Sequence, residues 1–497
     1  MSDSASGLPG AETSSREPDG RAQIASDAAA VERNTFESPR PLRQTLAVLP
    51  PEWPDDPLPE IRRRLEGITV VVLDDDPTGT QTVCEVPVLT EWAADSLAPE
   101  LAAAPPMLFV LTNSRAKPAA KADAIAGEIA ANLAAASGRT GRCTLLVSRS
   151  DSTLRGHYPG EVLALDGGRM TRHLLAPFFL EGGRLTIDDV HYVAEGDTLV
   201  PAAATPFARD ATFGYQSSDL LEWTAEKFAG VGPFLPPTQS VSLETIRRGG
   251  PDAVAAQLIA APSESVVAVN AASTRDIEVA ALATLLAEEA GVSYRIRAAA
   301  GIVRALAGQS PQPPLTQIAT DRASGVGGLI VVGSYVPKTT RQVASLLALP
   351  DAPQRVELDV PSLLDGSLDP ASLAQTIDRH LSGGRHVALI TSRQLVATDD
   401  PDESLAIGGR VSAALIDIVR GIQTQPRFLI AKGGITSSDI ATEALGVRRA
   451  IVVGQLLPGV PFWRLGDQSR LPGCPYIVFP GNVGDDDALA AAYRRLA

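Results

Sequence analysis

The sequence predicts a two-domain α/β protein in which each domain carries a mostly parallel sheet flanked by helices. Three observations support this. The chain has 497 residues, more than one hydrophobic core usually organises. Its short apolar runs, such as Ile68-Thr69-Val70-Val71-Val72-Leu73, are continuous, as expected of strands covered on both faces. Helical stretches stand between these runs, and alternating strands and helices wind into parallel sheets with ligands at the carboxyl ends of the strands.

The elements follow in order. Residues 1 to about 43 are rich in Ser, Ala, Glu, Asp, Arg and Pro without a hydrophobic period, which predicts a disordered tail over 1–45. A charged helix over 61–66 leads into the first buried strand, 68–73. Strands are expected over 107–112 and 143–148, with an Ala-rich helix over 119–136 between them. Next come a strand over 266–270, a helix over 279–290 and a further helical stretch over 301–306. The run Gln309-Ser310-Pro311-Gln312-Pro313-Pro314 marks a linker, so the domains are expected to span 46–310 and 325–497. In the second, strands are predicted over 328–333, 355–359, 386–391, 428–431, 449–454 and 476–479. Helices over 340–349, 370–381, 408–419 and 438–445 separate several of them.

Composition excludes several functions. The formal net charge is -15 and the arginines are scattered, so nucleic acid and anionic membrane are not expected partners. The three cysteines, Cys84, Cys143 and Cys474, lie far apart without CxxC spacing, which argues against a disulfide framework and a structural zinc site. The five histidines form no HxH or HExxH pattern. No apolar run approaches the roughly 20 residues of a membrane span, and the polar N-terminal stretch has no apolar h-region. A soluble, cytoplasmic protein is the expectation.

Chemistry is expected in the loops after strands. Asp74-Asp75-Asp76-Pro77-Thr78-Gly79 places three carboxylates after a buried strand, where they repel unless a cation or a substrate hydroxyl compensates. A turn that merely caps the next helix is the plainer alternative. In Ser148-Arg149-Ser150-Asp151-Ser152-Thr153-Leu154-Arg155-Gly156-His157, guanidinium forks suit a carboxylate, and Asp151, Ser152 and Thr153 suit hydroxyls. A surface ion-pair cluster is the plainer alternative here. Thr112-Asn113-Ser114-Arg115 adds a third polar rim, and the three together suit a small hydroxylated anion. In the C-terminal half, Gly333-Ser334, Lys432-Gly433-Gly434-Ile435-Thr436, Gly454, Gly459 and Pro480-Gly481-Asn482-Val483-Gly484 follow strands. Glycines there let backbone amides approach phosphate closely, which predicts a nucleotide cradle. Residues 333–339 resemble a Walker A loop only superficially, because the glycine before Lys338 is missing.

These motifs resemble, in order, those of the four-carbon acid sugar kinases. Asp75-Asp76-Pro77-Thr78-Gly79 is similar to the family's DDxTG loop and Asp151 to Gly156 to its DSTLRG motif. Gly183-Arg184-Leu185-Thr186 and His191-Tyr192-Val193 are similar to its GRTT and HYV segments. Gly333-Ser334, Gly433-Gly434-Ile435-Thr436 and Gly481-Asn482-Val483-Gly484 are similar to its GS, GGxT and SGNFG-like turns. The resemblance implies a sugar-binding N-terminal domain, a nucleotide-binding C-terminal domain and an active site in the cleft between them. The implied activity is ATP- and Mg2+-dependent phosphorylation of an acid such as threonate, erythronate or a 3-oxo-tetronate. It implies catalytic roles for Asp75 and Asp151, and substrate contacts from Asp76, Thr78, Gly79, Arg115, Ser152, Thr153, Arg155 and Gly156. Nucleotide contacts are implied for Ser334, Gly433, Gly434, Ile435, Thr436, Gly454, Gly481 and Gly484. Protein ligands to a metal are not assigned, and a homodimer is left open. Ile435 stands where many members carry Asp or Glu, and Pro480 where Ser is usual. Two other readings stay open: a haloacid-dehalogenase-like phosphatase, because Asp74-x-Asp76-x-Thr78 matches that signature, and a degenerate metabolite-binding sensor.

Overall fold

The apolar runs form strands whose alternate residues enter different cores. Val70 and Val72 join one hydrophobic cluster, while Val71 and Leu73 join another on the opposite face, as the two-residue repeat of a strand requires. In the C-terminal half, Leu329 and Val331 extend the first cluster and Ile330 and Val332 enter a third. One core therefore runs through both halves, and each half adds its own on the far side.

The computed structural model describes residues 38–316, 318, 325–393 and 401–497. Among them the strands of the N-terminal half are β1 (Arg40–Pro41), β2 (Ile68–Asp74), β3 (Val86–Leu89), β4 (Met107–Leu111), β5 (Cys143–Arg149), β6 (His173–Ala176), β7 (Arg184–Ile187), β8 (Val190–Glu195), β9 (Thr198–Pro201), β10 (Thr238–Val241), β11 (Val266–Val269) and β12 (Arg295–Ala298). The C-terminal half contributes β13 (Leu329–Val332), β14 (Gln354–Leu358), β15 (Val387–Thr391), β16 (Leu429–Lys432), β17 (Arg449–Leu457), β18 (Val460–Leu465) and β19 (Pro475–Phe479). Fifteen strands make one ladder in the order β10-β11-β6-β12-β5-β2-β4-β3-β17-β18-β19-β16-β13-β15-β14. Every neighbouring pair is parallel except β3–β17, β17–β18 and β18–β19. The two parallel sheets are thus hydrogen-bonded to each other through the β17–β18 hairpin. A separate antiparallel sheet, β1-β9-β8-β7, covers part of the N-terminal half.

Register aligns the loops. Asp74 pairs with both Leu111 and Arg149, and Arg149 pairs with Ala298, so four strands of the first sheet end in one row. In the second, Val332 pairs with Lys432 and Ile390, and Lys432 pairs with Phe479.

Several expectations are corrected. The tail assigned to 1–45 lies outside the described residues up to 37, but Arg40–Pro41 pairs with β9 and Leu42–Ala47 is helical. The helix expected over 438–445 is a short α-helix, Gly434–Asp439, running into a π-helical turn over Ile440–Ala444. Part of the linker region, 317 and 319–324, lies outside the described residues. Before it, Leu315 donates its backbone N–H to the Gln455 carbonyl, which ties the connection to β17. No helix among the described residues is long and apolar enough to cross a membrane.

Trp463 on β18 stitches the halves together. It is fully buried and its indole N–H donates to Thr80 Oγ1 at 2.9 Å. Trp463→Ala is expected to cost about 3–5 kcal/mol, the usual range for a large buried aromatic, measured by urea unfolding. Thr80→Val, which strands the indole N–H, is expected to cost about 1–3 kcal/mol.

Candidate active site

The three consecutive aspartates at the end of β2 are held in three different ways. Asp76 has an extended backbone and caps the 3-10 turn Pro77–Thr80, with proline at the first position of the turn. Its Oδ1 accepts the Thr78 N–H at 2.9 Å and the Thr78 hydroxyl at 2.6 Å. The capping alternative therefore accounts for Thr78 and for one oxygen of Asp76. The other oxygen faces Arg115 Nη1 at 3.3 Å. Burial raises the Asp76 pKa, but Arg115 and the two Thr78 hydrogen bonds outweigh it and hold the carboxyl below its ordinary value.

Asp75 is buried, and Arg115 grips it with two donors, Nε at 3.0 Å to Oδ2 and Nη2 to Oδ1. Such two-point pairing fixes orientation as well as charge. Arg115 reaches it from the turn after β4, which Asn113 opens in a left-handed conformation, φ 51°. Asp74 points the other way, under the turn. A Cβ on Gly79 would stand 2.0 Å from its carboxylate, Arg149 Nη1 lies 3.3 Å from Oδ1, and Oδ2 is buried without a hydrogen-bond partner among the described residues. Burial pushes the Asp74 pKa up to about 7, with Arg149 opposing and Asp75 and Asp76 adding to the rise. A carboxylate sealed in this way cannot reach a substrate phosphate, which removes the nucleophile that the phosphatase reading requires.

The loop after β5 wraps Asp151. Its Oδ2 accepts the Thr153 N–H at 3.2 Å, the Thr153 hydroxyl and Arg155 Nε at 2.9 Å. Burial raises its pKa, yet Arg115 and Arg155 hold it well below the carboxylate range. Arg155 also approaches Asp210 at 3.4 Å and lies 5.1 Å from the centre of the Phe207 ring, so the segment after β9 closes this side. Leu154 and Gly156 both take positive φ, 68° and 122°. A Cβ at Gly156 would come within 3.3 Å of Asp75 Oδ2 and 3.0 Å of Ser150 Oγ, so glycine lets this loop lie against Asp75. Ser152 is anchored from behind, its carbonyl bonded to His191 Nε2 at 2.8 Å. His191 is fully buried and its pKa is pushed down to about 4, burial being the main cause; it is a structural support. Arg297 on β12, which the sequence reading missed, donates to the Arg155 carbonyl at 2.8 Å.

In the C-terminal half the ends of β13, β16 and β19 lie side by side. Gly433 N–H donates to the Phe479 carbonyl at 2.8 Å and Ser334 N–H to the Lys432 carbonyl at 3.3 Å. Thr339 Oγ1 lies 3.1 Å from both Ser334 Oγ and the Gly481 carbonyl. Thr436 packs into this corner, since a Cβ on Gly333 or Gly433 would meet its hydroxyl at 2.3 or 3.0 Å. Gly433 has φ 124°, and a Cβ on Gly481 would meet Ser334 Oγ at 3.1 Å. The turn carrying Gly484 is fixed by Gln342, whose Nε2 donates to the Val483 and Asp485 carbonyls at 3.0 and 2.7 Å. Ile435 is exposed. Gly454 stands apart: it sits inside β17 at a register shift, and an added Cβ would meet only the Leu315 side chain.

Two cations here were not assigned from the sequence. Lys432 is fully buried, its ammonium donating to the Pro480 and Gly481 carbonyls at 2.6 and 3.1 Å. Burial first, and the Lys338 charge second, push its pKa down to about 7. Arg393 donates to the Ser334 carbonyl, while its Nε and Nη1 find no partner among the described residues.

The two groups of loops meet. β16 is six places from β2 along the ladder, yet a Cβ on Gly434 would stand 3.3 Å from Asp76 Oδ2. Gly459, in the β17–β18 turn, faces both Gln81 Oε1 and Val483. Sheet coiling brings the carboxylate-and-arginine loops against the glycine loops.

Comparison with known proteins agrees with this division. Residues 70–306 match the model of a sugar-binding N-terminal domain and residues 329–489 that of a nucleotide-binding C-terminal domain. The chain is 30% identical over 366 residues to D-threonate kinase from Cupriavidus necator, covering 71% of this chain and 80% of that one. It is 30% identical over 182 residues, 34% of this chain and 39% of the other, to 3-oxo-tetronate kinase from Pseudomonas savastanoi pv. phaseolicola. The solved structure of Haemophilus influenzae protein HI1011 superposes with a TM-score of 0.59 over 86% of this chain and all of that one, at 18% identity, a likeness of fold.

The raised pKa of Asp74 makes a signed prediction. The folded state holds this proton at pH values where the unfolded chain, titrating near the ordinary 3.8, has lost it. Its contribution to stability is therefore present below about pH 4 and is lost as pH rises towards about 7. Asp74→Asn removes that dependence, so its stability relative to the parent should increase between about pH 4.5 and about pH 7.5 in urea titrations.

Proposed function

The chain belongs to the four-carbon acid sugar kinase family, and we propose that it transfers the γ-phosphoryl group of ATP to a hydroxyl of a small, four-carbon sugar acid. The observation that carries this reading is the approach of Gly434 to Asp76, which sets a phosphate-type glycine loop against a loop of carboxylates and arginines. Phosphoryl transfer requires that arrangement, with a donor phosphate and an acceptor hydroxyl positioned in line and the charge between them neutralised.

The acceptor lies in the cleft on the side of β2 and β5. Its carboxylate pairs with Arg155 in preference to Arg115, because Arg115 spends all three of its nitrogens on Asp75 and Asp76. Its hydroxyls meet Asp75, Ser152 and Asp151. Asp75 is the general base. Asp151 is the weaker candidate, because Arg115 and Arg155 hold its proton affinity far down against the effect of burial. Gly156 keeps the approach to Asp75 clear of a side chain.

The nucleotide is held by backbone groups at Gly433, Gly434 and Gly481, by Ser334 and Thr436, and by the charges of Lys432 and Arg393. Lys432 and Arg393 donate to backbone carbonyls, and two Arg393 nitrogens find no partner among the described residues, which suits a site that binds phosphate. Magnesium, bound with the nucleotide substrate, would neutralise charge on its phosphates. Closure of the cleft over both substrates would keep water from the γ-phosphate.

Asp75→Asn is expected to lower turnover by about 100-fold or more, the usual scale for a general base, with ATP affinity retained; turnover at the parent level would move the base elsewhere. Gly434→Val is expected to weaken ATP binding while binding of the acid persists. Unchanged ATP affinity in that variant would contradict the cradle.

A further inference from the structure

A small cavity lies beside Asp75. Asp75, Thr112, Ser148, Arg149 and Glu161 supply its polar wall, and its volume of about 10 Å³ is the room one water molecule takes. Arg149 Nε is buried with no hydrogen-bond partner among the described residues, so the wall offers a donor as well as carboxylate acceptors. Glu161 reaches this cavity from the short helix Gly160–Ala164 and is buried. It plays no part in the phosphoryl-transfer geometry derived above.

Its surroundings are not those of a stabilising ion pair. No guanidinium or ammonium lies within ion-pair distance of Glu161 among the pairs described. The groups that face it are Asp75 at the end of β2, Ser114 in the turn after β4, Asp123 on the helix Ala119–Thr140, Arg297 on β12 and, across the cavity, Arg149 on β5. Ser114, whose Oγ accepts from Thr112 Oγ1 at 3.0 Å, faces the Glu161 carboxyl and favours its charged form. The same cavity is thus lined by Asp75 and by a second carboxyl, that of Glu161.

We propose that Glu161 is the proton store of the active site, receiving through a single water in this cavity the proton that Asp75 takes from the acceptor hydroxyl. The proposal rests on the kinase reading. In the step, the acceptor O–H bond breaks as its oxygen bonds to the γ-phosphorus and the bond from that phosphorus to ADP breaks. Asp75 gains the proton. The cavity water then takes it and passes one of its own to the Glu161 carboxylate, so Asp75 returns to its charged form and Glu161 is neutral. The stored proton is the one that the net reaction releases to solvent. Glu161 is tuned for this: burial, reinforced by the Asp75 charge and opposed by Ser114 and Arg297, raises its pKa to about 7. It is thus a better proton acceptor than an ordinary glutamate, yet still ionised in part near neutrality.

Glu161 is a positioning residue in this sense, acting through Asp75, and the test is a pH profile. In the parent protein, ADP formation with a four-carbon sugar acid should give a kcat that rises through an apparent pKa near 7, as Glu161 ionises. Glu161→Gln should lower kcat about 10-fold or more, leave KM for ATP and for the acid within about twofold, and abolish that limb. Ser114→Ala removes the hydroxyl that favours the charged form of Glu161, so it should keep the limb and move it to higher pH; it also serves if Glu161→Gln does not fold. A parent-like kcat and limb in Glu161→Gln, or an unmoved limb in Ser114→Ala, would overturn the relay while leaving the kinase reading intact. A parent protein that forms no ADP with any such acid would instead defeat the kinase reading, and the relay with it.

Discussion

Consecutive carboxylates at the end of a buried strand set the terms for this site. Asp74, Asp75 and Asp76 cannot all be charged and dry without opposing charge, and the fold supplies it unequally. Asp74 is sealed beneath Gly79 with one long contact to Arg149. Asp75 and Asp76 share the three nitrogens of Arg115. The outcome is a ranking: one carboxylate is sealed beneath the turn, one is gripped at two points by Arg115, and one both caps a turn and borders the neighbouring loop. Arg115 serves these aspartates with all three of its nitrogens. It determines which of three chemically equivalent groups is available.

The same ranking depends on how the two halves join. The antiparallel β17–β18 hairpin bonds the two parallel sheets into one ladder, and Trp463 on that hairpin holds Thr80, four residues beyond Asp76. The aspartate turn is thus fastened at one end by its strand and at the other by the nucleotide half. Any shift of the hairpin moves the turn, which gives a physical route by which nucleotide binding could alter the acid site.

Much of this was legible in the sequence, for reasons that differ by element. Long continuous apolar runs such as 68–73 identified their strands because burial on both faces leaves no polar alternation. Short strands did not announce themselves: Arg295–Ala298 alternates arginine with apolar residues, and Val86–Leu89 contains proline. The aspartate, DSTLRG and glycine motifs drew attention to the loops that the fold brings together, because those residue types are costly in a buried strand or helix. Other members were invisible. Arg297 and Arg393 gain meaning only from partners far away in the chain, and Glu161 only from the cavity it shares with Asp75. Gly454 is a different case, since a glycine in a strand pattern also marks a bulge, and Gly454 lies at a register shift beside Leu315.

The central claim is that the carboxylate loops and the glycine loops form one phosphoryl-transfer site. It is tested most directly by incubating the protein with ATP, Mg2+ and a panel of four-carbon hydroxy acids while mass spectrometry follows both products. The account predicts ADP release that depends on the acid, with an equal amount of a singly phosphorylated acid. ADP and free phosphate formed at the same rate without any acid, or no turnover across the whole panel, would contradict it.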